Sequence, residues 1–270
     1  MATPTTNAQT AARPPVTPRR LSGFDRFILS TFAWLDERFR LRAVANLAVD
    51  MYYQWNMQLP RSHTEKYKLR SIWYWYPVYS LGSLTFIAFV VATITGVLLT
   101  LYYVPSTAPA EVGGLSATEA WKSIVYIMVE VPFGFMIRAL HFWSAMVMVA
   151  AVFLHMMRVY FTQSYKKPRE LNWIIGFVLL VLTLGLGYTG YLLPWSQLSF
   201  WAGRIGIEMA KSSPFLGTWV AGFMFGGAEL GQFTITRMYV FHVILLPIIA
   251  FGLAMLHMVI VWIQGIAEPH

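Results

Sequence analysis

The sequence predicts an all-α membrane protein, a bundle of four transmembrane helices preceded by an amphipathic helix at the membrane surface. Hydrophobic residues make up 57% of the 270-residue chain and charged residues 12%. Soluble globular proteins contain about 45–50% apolar residues, glycine included, and about 25% charged residues. Four separate segments are also apolar over the ~20 residues that a helix needs to cross a bilayer. This composition excludes a disordered protein and argues against a soluble enzyme.

The cysteine content and the net charge exclude further classes of protein. The chain has no cysteine, so it cannot supply a disulfide scaffold, a zinc finger, an iron–sulfur ligand, a catalytic thiol or a thioether to haem. Its 20 Lys and Arg against 12 Asp and Glu give a formal net charge of +8. In so apolar a chain, this excess indicates positive-inside topology, and nucleic acid is not an expected partner.

The N-terminal part divides into two stretches. Residues 1–21 are rich in Ala, Thr and Pro and are predicted to be a disordered extension. Residues 22–77 are predicted to be an amphipathic and interfacial segment, because apolar residues recur every three or four positions among charged ones. An ordinary surface helix against a partner subunit fits this periodicity equally well. The aromatic residues at 73–76 are typical of an interfacial belt.

The four apolar segments form the predicted membrane domain, 78–265, which leaves a short tail at 266–270. Of the 20 Lys and Arg, fifteen lie on the side that both termini would share, and five lie on the other side. This bias predicts that both termini are cytoplasmic. The connection at 103–132 is expected to be partly helical, and the one at 194–237 is long and rich in glycine. The predicted helices cover about 78–102, 133–160, 172–193 and 238–263.

Four of the six histidines lie within the second and fourth apolar segments. His141 and His155 are 14 residues apart, and His242 and His257 are 15 apart. At 100° and 1.5 Å per residue, each pair stays on one helix face with about 21 Å between its members. The two segments run in the same direction. His141 and His242 therefore share one depth near the outer side, and His155 and His257 share a second depth near the inner side.

This arrangement of histidines indicates iron ligation. Two neutral imidazoles at equal depth on facing helices can fill both axial positions of the iron in a planar macrocycle, which restricts the chemistry to one-electron transfer. A buried packing residue or a link in a proton relay is the alternative for any single histidine. Four histidines in two matched pairs favour the ligand interpretation, because each would otherwise need its own buried partner.

Glycines repeat the histidine spacing on the two helices that lack histidine. Each of these helices carries two glycines 14 residues apart. A missing side chain would let the backbone approach a large flat group, although small residues also serve ordinary packing between membrane helices. The glycines are Gly82 and Gly96 in the first segment and Gly176 and Gly190 in the third.

Two arginines stand one turn beyond a histidine, each toward the nearer membrane surface. Arg138 precedes His141 by three residues, and Arg158 follows His155 by three. If haem is bound, these guanidinium groups are expected to pair with its propionates. Arginines that extend to the surface from a helix end would give the same pattern.

The stretch 121–196, which ends in GYTGYLLPWS, closely resembles cytochrome b of the Rieske/cytochrome b complexes. The 15-residue histidine interval, the KKPREL loop and the ending IQG resemble the short b6 form. The resemblance covers about residues 33–265. It implies two haems b, an outer one of lower potential on His141 and His242 and an inner one of higher potential on His155 and His257.

The resemblance also implies the activity and the partners. The chain would be a subunit of a quinol:cytochrome c (or plastocyanin-type acceptor) oxidoreductase in a bacterial cell membrane, with proton translocation. It would work in a homodimeric complex with a Rieske iron–sulfur protein, a c-type cytochrome and a small subunit IV-like chain that carries the Pro-Glu-Trp-Tyr motif. Quinone would be reduced near the inner haem, and the chain would not be active alone. Candidates for the outer quinol pocket are Trp195, Phe200, Trp201 and Arg204.

The sequence departs from the b6 pattern near the inner site. Ser80 stands where the b6 form has the Cys that attaches an extra c-type haem, and Trp262 stands where it has an Arg that faces that haem's propionates. No covalent c-type haem is therefore expected. Phe142 replaces an Arg next to the first histidine.

Two other functions remain open on the residues alone. One is a di-haem membrane anchor of a dehydrogenase, of the hydrogenase or formate dehydrogenase type, and the other is a haem-free scaffold or transporter subunit.

Overall fold

The computed structural model describes residues 23–40 and 78–265. The predictions for 1–21, 41–77 and 266–270 lie outside these residues. The elements in chain order are α1 (Gly23–Phe39), α2 (Leu81–Thr100), the strands β1 (Pro109–Val112) and β2 (Leu115–Thr118), α3 (Glu119–Val129), α4 (Gly134–Phe161), α5 (Glu170–Leu192), α6 (Gln197–Lys211), α7 (Gly217–Phe225), α8 (Gln232–Val240), a π-helical turn (Phe241–Leu245) and α9 (Leu246–Gln264).

Among the described residues, four helical rods are long and apolar enough to cross a membrane, which confirms the predicted bundle. They are α2, α4, α5 and the continuous rod Gln232–Gln264, made of α8, the π-helical turn and α9. Within the described residues, α2 packs mainly along α4, and α5 packs along α9. The bundle is therefore built from two helix pairs.

The fourth rod begins at Gln232, several residues before the predicted start near 238. The sequence there is polar, but Thr234 stabilises a helix start. Its hydroxyl accepts a hydrogen bond from the Gly231 amide at 3.1 Å and donates one to the Phe225 carbonyl at 2.7 Å. A side chain that satisfies the free backbone groups stabilises a helix end. The prediction from hydrophobicity alone therefore put the start of this helix several residues too far along the chain.

The π-helical turn contains His242 and is followed by Pro247, near the start of α9. Proline has no amide hydrogen, and its ring clashes with the carbonyl four residues earlier, here that of Val243. A π turn holds one more residue than an α turn, so it relieves this clash without breaking the rod.

The connection at 194–237 contains α6 and α7, two helices that the sequence analysis did not predict. The Ser196 hydroxyl caps α6 by accepting the Ser199 amide at 3.3 Å. A separate core joins these helices to the end of α5 and to α8. Its buried side chains are Leu192, Ile207, Phe225 and Met238.

The connection at 103–132 is partly helical, as expected, because it contains α3. It also contains a hairpin, in which β1 and β2 pair antiparallel from Pro109 opposite Thr118 to Val112 opposite Leu115. Gly113 and Gly114 form the turn with φ of +58° and +79°. Two-residue hairpin turns of type I′ need positive φ at both positions, which glycine adopts without strain.

The helix α1 occupies part of the segment predicted to be amphipathic, and its C-terminal end is attached to the bundle. Arg38 is only 4% exposed. Its guanidinium pairs with Glu170 at the start of α5 at 3.2 Å and lies 4.5 Å over the Trp34 ring. The Gln264 amide donates to the Arg38 carbonyl. These contacts join α1 to the ends of α5 and α9.

Replacing Gly206 by Ala should detach α6 from α5. The Tyr188 hydroxyl donates to the Ala202 carbonyl at 3.2 Å, and a Cβ at Gly206 would lie 1.8 Å from that hydroxyl oxygen. We expect a loss of about 1–3 kcal/mol, as for other overpacked cores, measured by thermal unfolding of the purified complex. Gly187→Ala is the control, because no atom lies within 4 Å of its added Cβ. Equal stability of the two variants would contradict this account.

Candidate cofactor site

The structure brings the four intramembrane histidines together in two pairs, each with one ring from α4 and one from the fourth rod. The ring centroids of His141 and His242 are 6.1 Å apart, and those of His155 and His257 are 6.5 Å apart. We call the first pair the His141 layer and the second the His155 layer. These are the pairs expected from the sequence spacing.

The spacing of the rings fits a metal ion between them. Metal–imidazole bonds are about 2.0–2.1 Å long, so centroid separations of 6.1 and 6.5 Å leave room for one metal ion between the two rings of each layer. In the described ranges, no cluster of three or more His, Cys, Asp or Glu side chains could hold a metal ion. Each layer thus offers two protein donors, the number that a porphyrin iron leaves to the protein.

Hydrogen bonds fix the tautomer of the His141 layer. The Nδ1 atom of His141 lies 2.9 Å from the Ala92 carbonyl oxygen, and that of His242 lies 3.0 Å from the Leu186 carbonyl oxygen. A carbonyl oxygen only accepts, so Nδ1 carries the hydrogen in both rings. The lone pair of each neutral imidazole is then on Nε2, which is free to bind iron.

The His155 layer lacks these bonds. The Nδ1 atoms of His155 and His257 are buried, and neither has a hydrogen-bond partner. The Asn172 backbone interacts only weakly with the His257 ring, and the His257 Nδ1 atom stays unpaired. The two layers therefore hold their histidines differently.

Each of the four glycines predicted to let the backbone approach a large flat group lies directly against one histidine ring. A Cβ added at any of them would meet the Cε1 atom of the opposite imidazole. The tightest of these contacts leaves no room for a methyl group, since Cβ atoms essentially never approach another atom within 3.0 Å. The added Cβ distances are 2.5 Å for Gly190 to His242, 3.1 Å for Gly96 to His141, 3.1 Å for Gly82 to His155 and 3.3 Å for Gly176 to His257.

The two predicted arginines have different surroundings. The Arg158 guanidinium lies 4.5 Å over the Tyr79 ring, and its Nε atom is buried without a hydrogen-bond partner. Leaving a buried donor unpaired is costly, and a carboxylate would satisfy it. The Arg138 guanidinium is near the surface and contacts the Met128 sulfur at 3.7 Å.

The four candidates for the outer quinol pocket lie on α6 and the turn before it. Trp195 has a φ of +50°, and its ring meets Phe200 edge to face at 6.4 Å. Phe200 also meets Trp201, at 5.7 Å. Arg204 forms an exposed ion pair with Glu229. The three aromatic candidates thus form one contiguous group, and the guanidinium of Arg204 has an acidic partner.

Tyr103 is a residue that the sequence analysis missed. Its hydroxyl donates to the Leu193 carbonyl at 2.6 Å, and its ring stacks on Tyr239 at 5.7 Å. Burial and the nearby Tyr239 raise the pKa of Tyr103 well above its ordinary value, so the hydroxyl keeps its proton. Tyr103 thereby holds the end of α5 just before the Trp195 turn. Its 90-residue separation from Leu193 left no signal in the local sequence.

A cavity of about 520 Å³ between α7 and the fourth rod was also not predicted. Trp219 and Phe223 stack with centroids 5.4 Å apart on one wall. The Arg237 side chain donates to the carbonyls of Gly222 and Phe223, near the C-terminal end of α7. The lining residues are Trp219, Gly222, Phe223, Arg237 and Phe241.

A family model and curated relatives both match most of this chain. The family model described as cytochrome b/b6/petB matches residues 64–265. Cytochrome b6 of Heliobacterium mobile is 47% identical over 191 residues, which are 71% of this chain and 85% of that protein. The menaquinol:cytochrome c reductase cytochrome b subunit of Bacillus subtilis is 40% identical over 193 residues, 71% of this chain and 82% of that one.

A solved structure is also similar. A chain of a hyperthermophilic respiratory Complex III aligns with a TM-score of 0.63 and 30% identity. The alignment covers 88% of this chain and 56% of that one. This protein therefore spans little more than half the length of that structural neighbour.

Replacing Gly190 by Ala should displace His242 and remove any haem from the His141 layer, because the new Cβ would lie 2.5 Å from the imidazole. Haem per chain, measured by pyridine haemochrome on the purified complex, tests this. Gly252→Ala, on α9 with no atom within 4 Å of its Cβ, should keep the full haem content. Gly176→Ala, at 3.3 Å, should have a smaller effect. Equal haem content in all three variants would refute the proposed role of the contact.

Proposed function

The chain belongs to the cytochrome b/b6 family, and we propose that it is the two-haem electron carrier of a quinol-oxidising membrane complex. Its relatives are bc/b6f-type cytochrome b subunits, and so is this chain. In the proposal, it conducts electrons from a quinol-oxidation site on the outer side to a quinone-reduction site on the inner side, with proton translocation. The complex would act as a quinol:cytochrome c or plastocyanin-type oxidoreductase.

The observation that carries this proposal is the presence of two layers, each made of two histidine rings that face each other. His141 and His242 would hold one haem b, and His155 and His257 the other, each through Nε2. Haem b, when bound, supplies one-electron transfer. Each iron would take two imidazole ligands from this chain, and the role of these four residues would be to hold the haems for electron transfer.

The depth of the two layers supports transfer across the membrane. The 14 residues between His141 and His155 on α4 correspond to about 21 Å, most of the ~30 Å of bilayer hydrocarbon. Each layer therefore lies near one membrane face, where a quinone headgroup can approach. Trp195, Phe200, Trp201 and Arg204 are our candidates for the outer quinol pocket.

The glycines and arginines have supporting roles in this proposal. Gly82, Gly96, Gly176 and Gly190 keep the backbone close to the histidine rings. Arg158, with its buried Nε unpaired, would bind a propionate near the His155 layer, and Arg138 would do so near the His141 layer. The chain has no cysteine, and a serine such as Ser80 cannot form a thioether, so the proposal includes no covalent c-type haem in addition to the two haems b.

The setting of the subunit completes the proposal. Four apolar helices in the described part of the chain make it an integral membrane protein. The distribution of Lys and Arg supports cytoplasmic positions for both termini, and we place the chain in a bacterial cell membrane. Family membership favours this function over a di-haem anchor of a dehydrogenase. We expect the chain alone to be inactive.

Replacing His155 or His257 by Ala should remove one of two haem equivalents and leave the His141 layer loaded, because each layer binds its own iron. Pyridine haemochrome gives the count, and reduced-minus-oxidised spectra of the purified complex identify the remaining haem. His63→Ala, which changes a histidine that belongs to neither layer, is the control. Two full equivalents in either layer variant would refute the pairing, and absence of haem from the unaltered complex would refute the function.

Affinity purification of this chain in mild detergent should recover two copies of it with the proposed partners. These are a Rieske iron–sulfur protein, a c-type cytochrome and a subunit IV-like chain with a Pro-Glu-Trp-Tyr motif. Mass spectrometry identifies them, and native mass gives the stoichiometry. A stable monomer with full quinol-oxidation activity would contradict this assembly.

A further inference from the structure

The residue before each of the four layer glycines differs between the two layers. Thr95 precedes Gly96 and Thr189 precedes Gly190, and both of these glycines face the His141 layer. At the equivalent positions facing the His155 layer, Leu81 precedes Gly82 and Ile175 precedes Gly176. The residue before the glycine is therefore threonine on both helices that face the His141 layer, and aliphatic on both helices at the level of the His155 layer.

Both threonine hydroxyls contact the histidine that their neighbouring glycine faces. Thr95 Oγ1 lies 3.2 Å from His141 Nδ1, and Thr189 Oγ1 lies 3.2 Å from His242 Nδ1. The two threonines are 6% and 2% exposed, so water does not compete for these contacts. The same arrangement occurs twice, once in each helix pair.

The direction of these hydrogen bonds follows from the other partner of each hydroxyl. Thr95 donates to the Val91 carbonyl at 2.6 Å, and Thr189 donates to the Gly185 carbonyl at 2.8 Å. With its hydrogen used in this way, each hydroxyl oxygen accepts from the imidazole. The Nδ1 hydrogen of each ring in the His141 layer is thus shared between a backbone carbonyl and a threonine hydroxyl.

Acceptors at Nδ1 change what Nε2 can give to a metal. They draw the Nδ1 hydrogen away from the ring and make the imidazole a more basic ligand. A more basic axial ligand stabilises the oxidised iron, which carries the higher positive charge, and so lowers its reduction potential. In the His155 layer, both Nδ1 atoms lack a hydrogen-bond partner.

We propose that Thr95 and Thr189 are positioning residues that lower the reduction potential of the haem in the His141 layer relative to the haem in the His155 layer. The inference rests on the proposed function, since it requires two haems. Electrons then move toward the higher potential, from the His141 layer to the His155 layer. Each layer also has one arginine nearby, so the presence of a cation does not by itself distinguish them.

Thr95→Val and Thr189→Val remove the hydroxyl and keep the shape of the side chain. In the purified complex, potentiometric titration of the haem absorption bands should show a higher midpoint potential for the His141-layer haem. The double variant should shift further, and the His155-layer haem should stay unchanged. Thr95→Ser and Thr189→Ser keep the hydroxyl and should stay close to the unaltered protein. Unchanged potentials in the Val variants with both haems bound, or equal shifts in the Ser variants, would overturn the proposal.

The reciprocal change tests the same idea in the other layer. Ile175→Thr places a hydroxyl where Thr189 stands in the His141 layer and should lower the midpoint potential of the His155-layer haem, while Ile175→Val should not. If a Thr→Val change costs the haem itself, this variant decides, because an unmoved His155-layer potential overturns the proposal. Haem content of the unaltered complex separately tests the proposed function, so the two failures are distinguishable.

Discussion

Four contacts between a glycine and an imidazole ring determine how closely the helices of this bundle approach. Each ring occupies the space where a side chain on the facing helix would begin. Protein interiors are close-packed, so a larger residue at any of these glycines would push either the helix or the ring away. The pairing of α2 with α4 and of α5 with α9, and the depth of both histidine layers, depend on these contacts.

The two helix pairs repeat one plan. In each pair, one helix supplies two glycines 14 residues apart, and the other supplies two histidines that lie against them. One member of each layer comes from each pair, so the histidines meet at the interface between the pairs. The plan is symmetric between the halves of the bundle but not between its two depths, because hydrogen bonding at Nδ1 occurs in one layer only.

Periodicity was sufficient to predict the four spans and the pairing of the histidines, because spacing along a helix determines both depth and face. It did not predict α6 and α7, whose apolar faces pack on a local core, or the start of the fourth rod, which a threonine caps. It also missed Tyr103 and the threonine hydroxyls, whose partners lie 90, 46 and 53 residues away. Such contacts depend on tertiary packing that a single helix pattern does not encode.

The π-helical turn at Phe241–Leu245 explains why the two histidine intervals differ by one residue. A plain α-helix with 15 residues between His242 and His257 would turn the second ring by about 100° relative to a 14-residue interval. The wider turn absorbs this residue, and both rings still meet their partners on α4. The π-helical turn thus accommodates the equivalent of a single inserted residue beside His242. It lets the fourth rod hold one residue more than α4 between the two layers while both histidines keep their positions opposite those of α4.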